Sequence, residues 1–171
     1  MATTCKLIQK VVLGSSAASI DFTSIPSTFD DLYCIMSLRS DHSGLIYDAV
    51  RLRFNGAASD TNHSCRYIQG NGSAASSQSL SLINVAVPPA ASATANTFGN
   101  STIYIPNYAG SAAKSLSNTD AHETNGSTAY MTALAGLWND TSAITSFKLE
   151  SRNSANFVAG SSAYLYGITK A

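Results

Sequence analysis

Between Phe98 and Tyr108 the chain reads Phe-Gly-Asn-Ser-Thr-Ile-Tyr-Ile-Pro-Asn-Tyr, passing from turn chemistry into strict alternation and back. Side chains of an extended strand point to opposite faces in turn, so Ser101, Ile103 and Ile105 share one face and Thr102 and Tyr104 the other. Pro106 lacks an N–H and ends regular pairing, and Asn107 opens a turn. The rest of the chain repeats this design, which restricts it to β-architectures.

Lys6 to Leu13 is the first expected strand, and Ala18, Ile20 and Phe22 alternate with Ser19, Asp21 and Thr23 in the second. Ile25 to Asp30 is a corner: Pro26 biases Ile25 toward extended backbone, and Phe29 plugs the end of the core. Asp31 to Arg39 is apolar on both faces, with Leu32, Cys34, Met36 and Leu38 opposed to Tyr33, Ile35 and Ser37. A strand of that kind is central in its sheet, or has its outer face covered by a partner. Val50, Leu52 and Phe54 alternate with Arg51 and Arg53 up to the Asn55-Gly56 turn. Ser64 to Ile68 is a short strand, Gly70 to Ser79 reads as a mobile loop, and Leu80 to Val87 reads as one strand with a bulge near Ile83.

Lys114 to Glu123 contains Leu116 as its only large apolar residue, which points to an edge position. Thr128 to Trp138 alternates Tyr130, Leu134 and Trp138 with Met131, Ala133 and Leu137; its alanines permit helix, but Thr, Tyr and Gly136 favour strand. Ile144 to Glu150 and Ala163 to Ile168 complete the set. About ten short strands with frequent turn signals and no amphipathic helix define an all-β protein. The expectation is one β-sandwich domain over residues 1–171, two four-stranded antiparallel sheets in jelly-roll order with surplus strands extending either sheet. Residues 1–10 are an arm or edge strand.

Only 12% of residues are charged, and ten basic residues balance ten acidic ones. No global field attracts nucleic acid or an anionic membrane, and no apolar run approaches the roughly 18 residues of a span. A surface made of hydroxyls and amides suits a protein packed against neighbours. Cys5, Cys34 and Cys65 are odd in number and widely spaced, and Cys34 and Cys65 alternate with core residues, so they read as thiols of a chain made in a reducing cytoplasm. The N-terminal stretch lacks the apolar region and cleavage site of a signal peptide.

Catalytic signatures are missing. Gly160-Ser161-Ser162 and Gly110-Ser111 do not form a nucleophile elbow, and Gly70-Asn71-Gly72 lacks the lysine of a phosphate loop. His63-x-Cys65 and Asp120-x-His122 each place two ligand types on one side of a strand, yet zinc needs three or four converging. Asp120 with Glu123 fits turn-end carboxylates better than a glycosidase pair. The expectation is no catalytic residue, no metal and no cofactor. Candidate interface residues are Arg39, Arg51, Arg53, Tyr104 and Tyr108: the arginines pair with acids of another subunit or form a plain solvated face, and the tyrosines serve a protein contact, a sugar platform or a wall of the core. Tyr164 and Tyr166 extend the tyrosine set.

Four stretches carry a resemblance. They are Ala17 to Pro26 (Ala-Ala-Ser-Ile-Asp-Phe-Thr-Ser-Ile-Pro) with Thr28 to Leu32; Ala95 to Phe98 through Ile103 to Tyr108; Ala135 to Trp138 with Ala143 to Thr145; and Phe157-Val158 with Ala163 to Ile168. Together they resemble a family of small β-rich proteins encoded by tailed bacteriophages. The resemblance implies a virion structural protein, first a capsid decoration or cement protein that binds the major capsid protein and other copies of itself as a homotrimer. It brings no catalytic residue. The alternative it implies is a tail or fibre receptor-binding domain gripping a glycan with Tyr104, Tyr108 and Trp138.

Overall fold

The computed structural model describes residues 4–126 and 129–170. In chain order the strands are β1 (Cys5–Val12), β2 (Ser19–Phe22), β3 (Asp31–Leu38), β4 (Val50–Phe54), β5 (His63–Gly70), β6 (Ala75–Leu80), β7 (Ile83–Ala86), β8 (Gly99–Ile105), β9 (Lys114–His122), β10 (Tyr130–Trp138), β11 (Phe147–Ser151) and β12 (Ser162–Ile168). No helix occurs among the described residues, and every strand pair is antiparallel. The all-β sandwich expected from the alternation is the observed architecture. The expected strand at Thr128 begins outside the described residues, and so does Ala2 of the expected arm. From Cys5 onward that arm is an edge strand of the large sheet.

The sheets are unequal. One has eight strands, ordered β1-β12-β3-β8-β9-β10-β5-β6, and the other four, ordered β2-β11-β4-β7. Two hairpin-forming pairs account for the excess, β5–β6 between β4 and β7, and β9–β10 between β8 and β11. Without them the sheets reduce to β1-β12-β3-β8 facing β2-β11-β4-β7. All four added strands join the large sheet, beyond β8.

Alternation explains the layers. Leu32, Cys34, Met36 and Leu38 of β3 and Ile103 and Ile105 of β8 face Ile20 and Phe22 of β2, Leu52 and Phe54 of β4, and Phe147 and Leu149 of β11, all buried. Burial pushes the Cys34 thiol well above its ordinary pKa, so it packs as a small apolar group. Phe29 lies at one end of this core, its ring where a side chain on Gly167 of β12 would stand.

Three expectations change. Gly70 to Ser79 is not a loop but a tight turn leading into β6: Asn71 Oδ1 accepts bonds from the backbone N–H groups of Ser73 and Ala74, and Gly72 takes a φ of 86°. Leu80 to Val87 is two strands in different sheets, because the chain crosses from β6 to β7 at Ser81-Leu82. Lys114 to Glu123 is not an edge; β9 lies between β8 and β10.

The cause of that last difference is β7, the edge of the small sheet. Its open side runs against the inner face of the large sheet, where no strand can pair with it, and side chains take over. Ser101 Oγ donates to Val85 O at 2.6 Å, Asn118 Nδ2 lies 2.8 Å from the same oxygen, and Val87 N–H donates to Asp120 Oδ2 at 3.0 Å. A buried peptide group without a partner costs about 1–3 kcal/mol, so the inward face of β9 has to be polar here. Its low hydrophobicity marks a polar seam in the core.

The Phe29 contact is testable. A Cβ on Gly167 would fall 2.3 Å from the Phe29 ring. Gly167→Ala is expected to lower the urea midpoint by an amount equivalent to roughly 1–3 kcal/mol, with unchanged m-value, in chemical denaturation followed by circular dichroism.

Candidate interface on the outer face of the large sheet

The register puts side chains of neighbouring strands side by side. One row across the outer face runs Tyr164, Ile35, Thr102, Thr119, Ala133, Ile68 and Ser77. The next contains Tyr166, Tyr33, Tyr104, Ser117, Ala135 and Arg66. Among the outward positions of β12, β3, β8, β9, β10, β5 and β6, only Asp31 and Arg66 are charged. Ile68 and Met131 are 65% and 69% exposed, and Ile35 and Leu137 are also exposed. Small residues on β9, β10 and β6 leave a shallow groove of about 600 Å³ along Ile68 and Arg66. Met131 flanks a second depression that shares Ile68. Ile68, Met131 and Leu137 stand on the added strands, and Ile35 on β3.

Tyr104 belongs to this face, in register with Tyr33, which is itself in register with Tyr166. Its hydroxyl donates to Asp31 Oδ2 at 2.5 Å, while Asp31 Oδ1 accepts from Asn107 N–H and Lys170 Nζ. Burial pushes the Asp31 carboxyl up, but the bonds from Tyr104, Asn107 and Lys170 outweigh it and leave it below the ordinary carboxylate value. Asp31 stays charged and neutralised in place, which removes its field from the outer face.

The other expected interface residues lie elsewhere. Tyr108 is fully buried, its hydroxyl donating to the Pro26 carbonyl. Arg39 is 8% exposed, and its guanidinium donates to the carbonyls of Ala93, Thr94 and Thr97, folding the Ala91–Thr97 loop onto the sandwich. These two therefore act inside the protomer. A lone arginine or tyrosine in a sequence does not reveal whether its partners come from its own chain. Arg51 and Arg53 share the outer face of the small sheet, but their acidic partners are internal: Asp60 at 3.3 and 3.1 Å and Glu150 at 2.7 and 3.0 Å. The five residues form no single site.

The two ligand-type pairs face inward. His63 packs against both Phe54 and Trp138, with ring centroids 5.9 and 6.3 Å away, and Cys65 is buried beside it on β5. Asp120 and His122 belong to the seam under β7. No group of three or more His, Cys, Asp or Glu able to hold a metal ion occurs among the described residues. Trp138 is 4% exposed, so with Tyr108 it is unavailable to a glycan.

The exposed face was partly legible. Alternation shows apolar residues on both sides of β3, the mark of a central strand or of a covered outer face, and β3 lies between β12 and β8. Ile68 and β6 were missed because the Ser-rich stretch after Asn71-Gly72 carries no hydrophobic period. No family model, curated protein or solved structure matches this chain.

Asp120 gives a pH test of the seam. Burial pushes its carboxyl up from 3.8 to about 7, only partly opposed by the Val87 N–H. A raised carboxyl stabilises the fold fully when protonated, below about pH 4, and that contribution is lost as pH rises to about 7. The buried imidazoles of His63 and His122 are held below 6.5 and act oppositely, losing stability as pH falls through 6.5. The difference between Asp120→Asn and the parent isolates the carboxyl. The stability of Asp120→Asn relative to the parent is expected to increase from pH 4 to 7 and then level off, by no more than about 4 kcal/mol, in urea titrations at fixed pH.

Proposed function

We propose that this protein is a virion structural protein of a tailed bacteriophage, a capsid decoration protein. It binds the outer surface of the shell through the outer face of its large sheet and acts by adding interface between neighbouring major capsid proteins. The observation that carries this reading is the face itself: a broad, nearly uncharged surface with Ile68 and Met131 standing exposed on it. Eight strands at about 4.8 Å spacing and about 20 Å of length present roughly 750 Å², close to the ~800 Å² per partner of a stable interface. Asp31 is already neutralised within the chain, so burying that area desolvates few charges, Arg66 and, at the β1 edge, Lys10, which suits a partner that binds by mass action at high local concentration.

The four-stretch resemblance supports the virion setting. The paired orders β1-β12-β3-β8 and β2-β11-β4-β7, with the chain passing between sheets at β1–β2, β2–β3, β3–β4, β7–β8 and β11–β12, support reading the framework as a jelly roll. The glycan-receptor alternative gains nothing from Tyr108 and Trp138, which are inside.

Quantitative fractionation of particles tests the setting. On the order of hundreds of copies per particle is expected of a shell-wide lattice; absence from purified particles, or a tail-level stoichiometry, contradicts it. For the face, the Ile68→Asp/Met131→Asp double variant is expected to keep its melting temperature and lose shell binding by about tenfold or more in a co-sedimentation assay.

A further inference from the structure

We infer that the free edge of β6 is a self-association site, where a second copy of this chain adds its own β6 antiparallel across a two-fold axis. This inference does not depend on the virion reading. Two sheets have four edges, and three are guarded. β1 carries Lys6 and Lys10 and an irregularity between Leu7 and Gln9. β2 is four residues long, with Asp21 in its middle facing Lys148. β7 is closed by Ser101, Asn118 and Asp120. Charges, bulges, shortness and cover are the usual means by which a sheet edge avoids pairing.

β6 has none of them. It reads Ala-Ser-Ser-Gln-Ser-Leu, without charge, proline or bulge, and all its residues but Leu80 are exposed. It overhangs the small sheet and is held by its ladder to β5 and by Tyr67 Oη donating to Gln78 Oε1 at 2.8 Å. Among the described residues no strand pairs with its other side.

The ladder shows which peptide groups are open. Asn71 N–H donates to Ala74 O, so 71 and 74 form a hydrogen-bonded pair; pairs alternate outward from there. In the unbroken register, Gly70↔Ala75, Ile68↔Ser77 and Arg66↔Ser79 are the non-bonded pairs. Ala75, Ser77 and Ser79 therefore turn N–H and C=O away from β5. Those three positions are symmetric about Ser77. With Ser77 opposite Ser77 of the second copy, Ala75 meets Ser79 on either side, and up to about six backbone hydrogen bonds form. The strand is electrically self-complementary, since an uncharged edge meets its copy without repulsion. Small side chains offer no steric obstacle.

The product is a two-fold dimer with one continuous sheet. A three-fold ring closed through this edge would need β6 to meet a different edge, and the long one available, β1, is guarded by lysines. A sheet extended in this way carries both grooves on one surface.

Sedimentation velocity of the purified full chain across a wide concentration range tests this, with two variants. Ser77→Pro removes an N–H that β5 does not use, and Ser77→Lys places like charges opposite each other on the axis. The parent is expected to dimerise reversibly. Both variants are expected to weaken dimerisation by about tenfold or more with an unchanged circular-dichroism melt, and added salt is expected to restore part of it in Ser77→Lys alone. A parent that stays monomeric at the highest concentration, a trimer, or a dimer that persists at parental strength in Ser77→Lys would overturn the inference.

Discussion

Three side chains of the large sheet stand in for a missing strand. The hydroxyl of Ser101, the amide of Asn118 and the carboxylate of Asp120 meet Val85 O and Val87 N–H at the open side of β7. A four-stranded sheet laid against an eight-stranded one must end somewhere over its neighbour's inner face, and an unpaired peptide edge there would be buried without water. The polar seam lets the small sheet stop at β7 while the core stays closed. It also fixes β8 and β9 relative to β7, because each bond ties a side chain of one sheet to the backbone of the other.

With the inner faces committed in this way, the surface divides by chemistry. On the small sheet, Arg51, Arg53, Asp60 and Glu150 neutralise one another within the chain. On the large sheet, Asp31 is neutralised by Lys170 and hydrogen-bonded by Tyr104. What remains for a partner is uncharged backbone edge and a face of Ser, Thr, Ala and Tyr with a few exposed apolar groups and Arg66. The four added strands concentrate these features, since the groove, Ile68, Met131 and the bare edge of β6 all lie on them. A framework of eight strands thus supplies stability, and the two inserted hairpins supply contact surface.

The fold class was legible because burial and alternation agree wherever one face is apolar. β3, β4, β8 and β11 have the faces that Leu32, Leu52, Ile103 and Leu149 announce. Two kinds of residue hid the rest. On β9 the inward Asn118, Asp120 and His122 answer to a neighbour distant in sequence, and no local pattern signals that Val85 and Val87 need partners. On β6 the serines have no preferred side, so strand formation is decided by the Asn71-Gly72 turn and the waiting edge of β5. The candidate site was less legible still: Tyr104 is on the outer face, but Arg39 and Tyr108 earn their place through loop carbonyls and Pro26, contacts that composition cannot show.

Amide hydrogen exchange resolved to single residues tests the seam most directly. If side chains close β7, the Val87 N–H, which lies one residue past the end of the strand and outside any ladder, exchanges as slowly as the amides of β4 and β11. An exchange rate at Val87 like that of the exposed Ala91–Asn96 loop would mean that the edge is open to water and that the two sheets are held together in some other way.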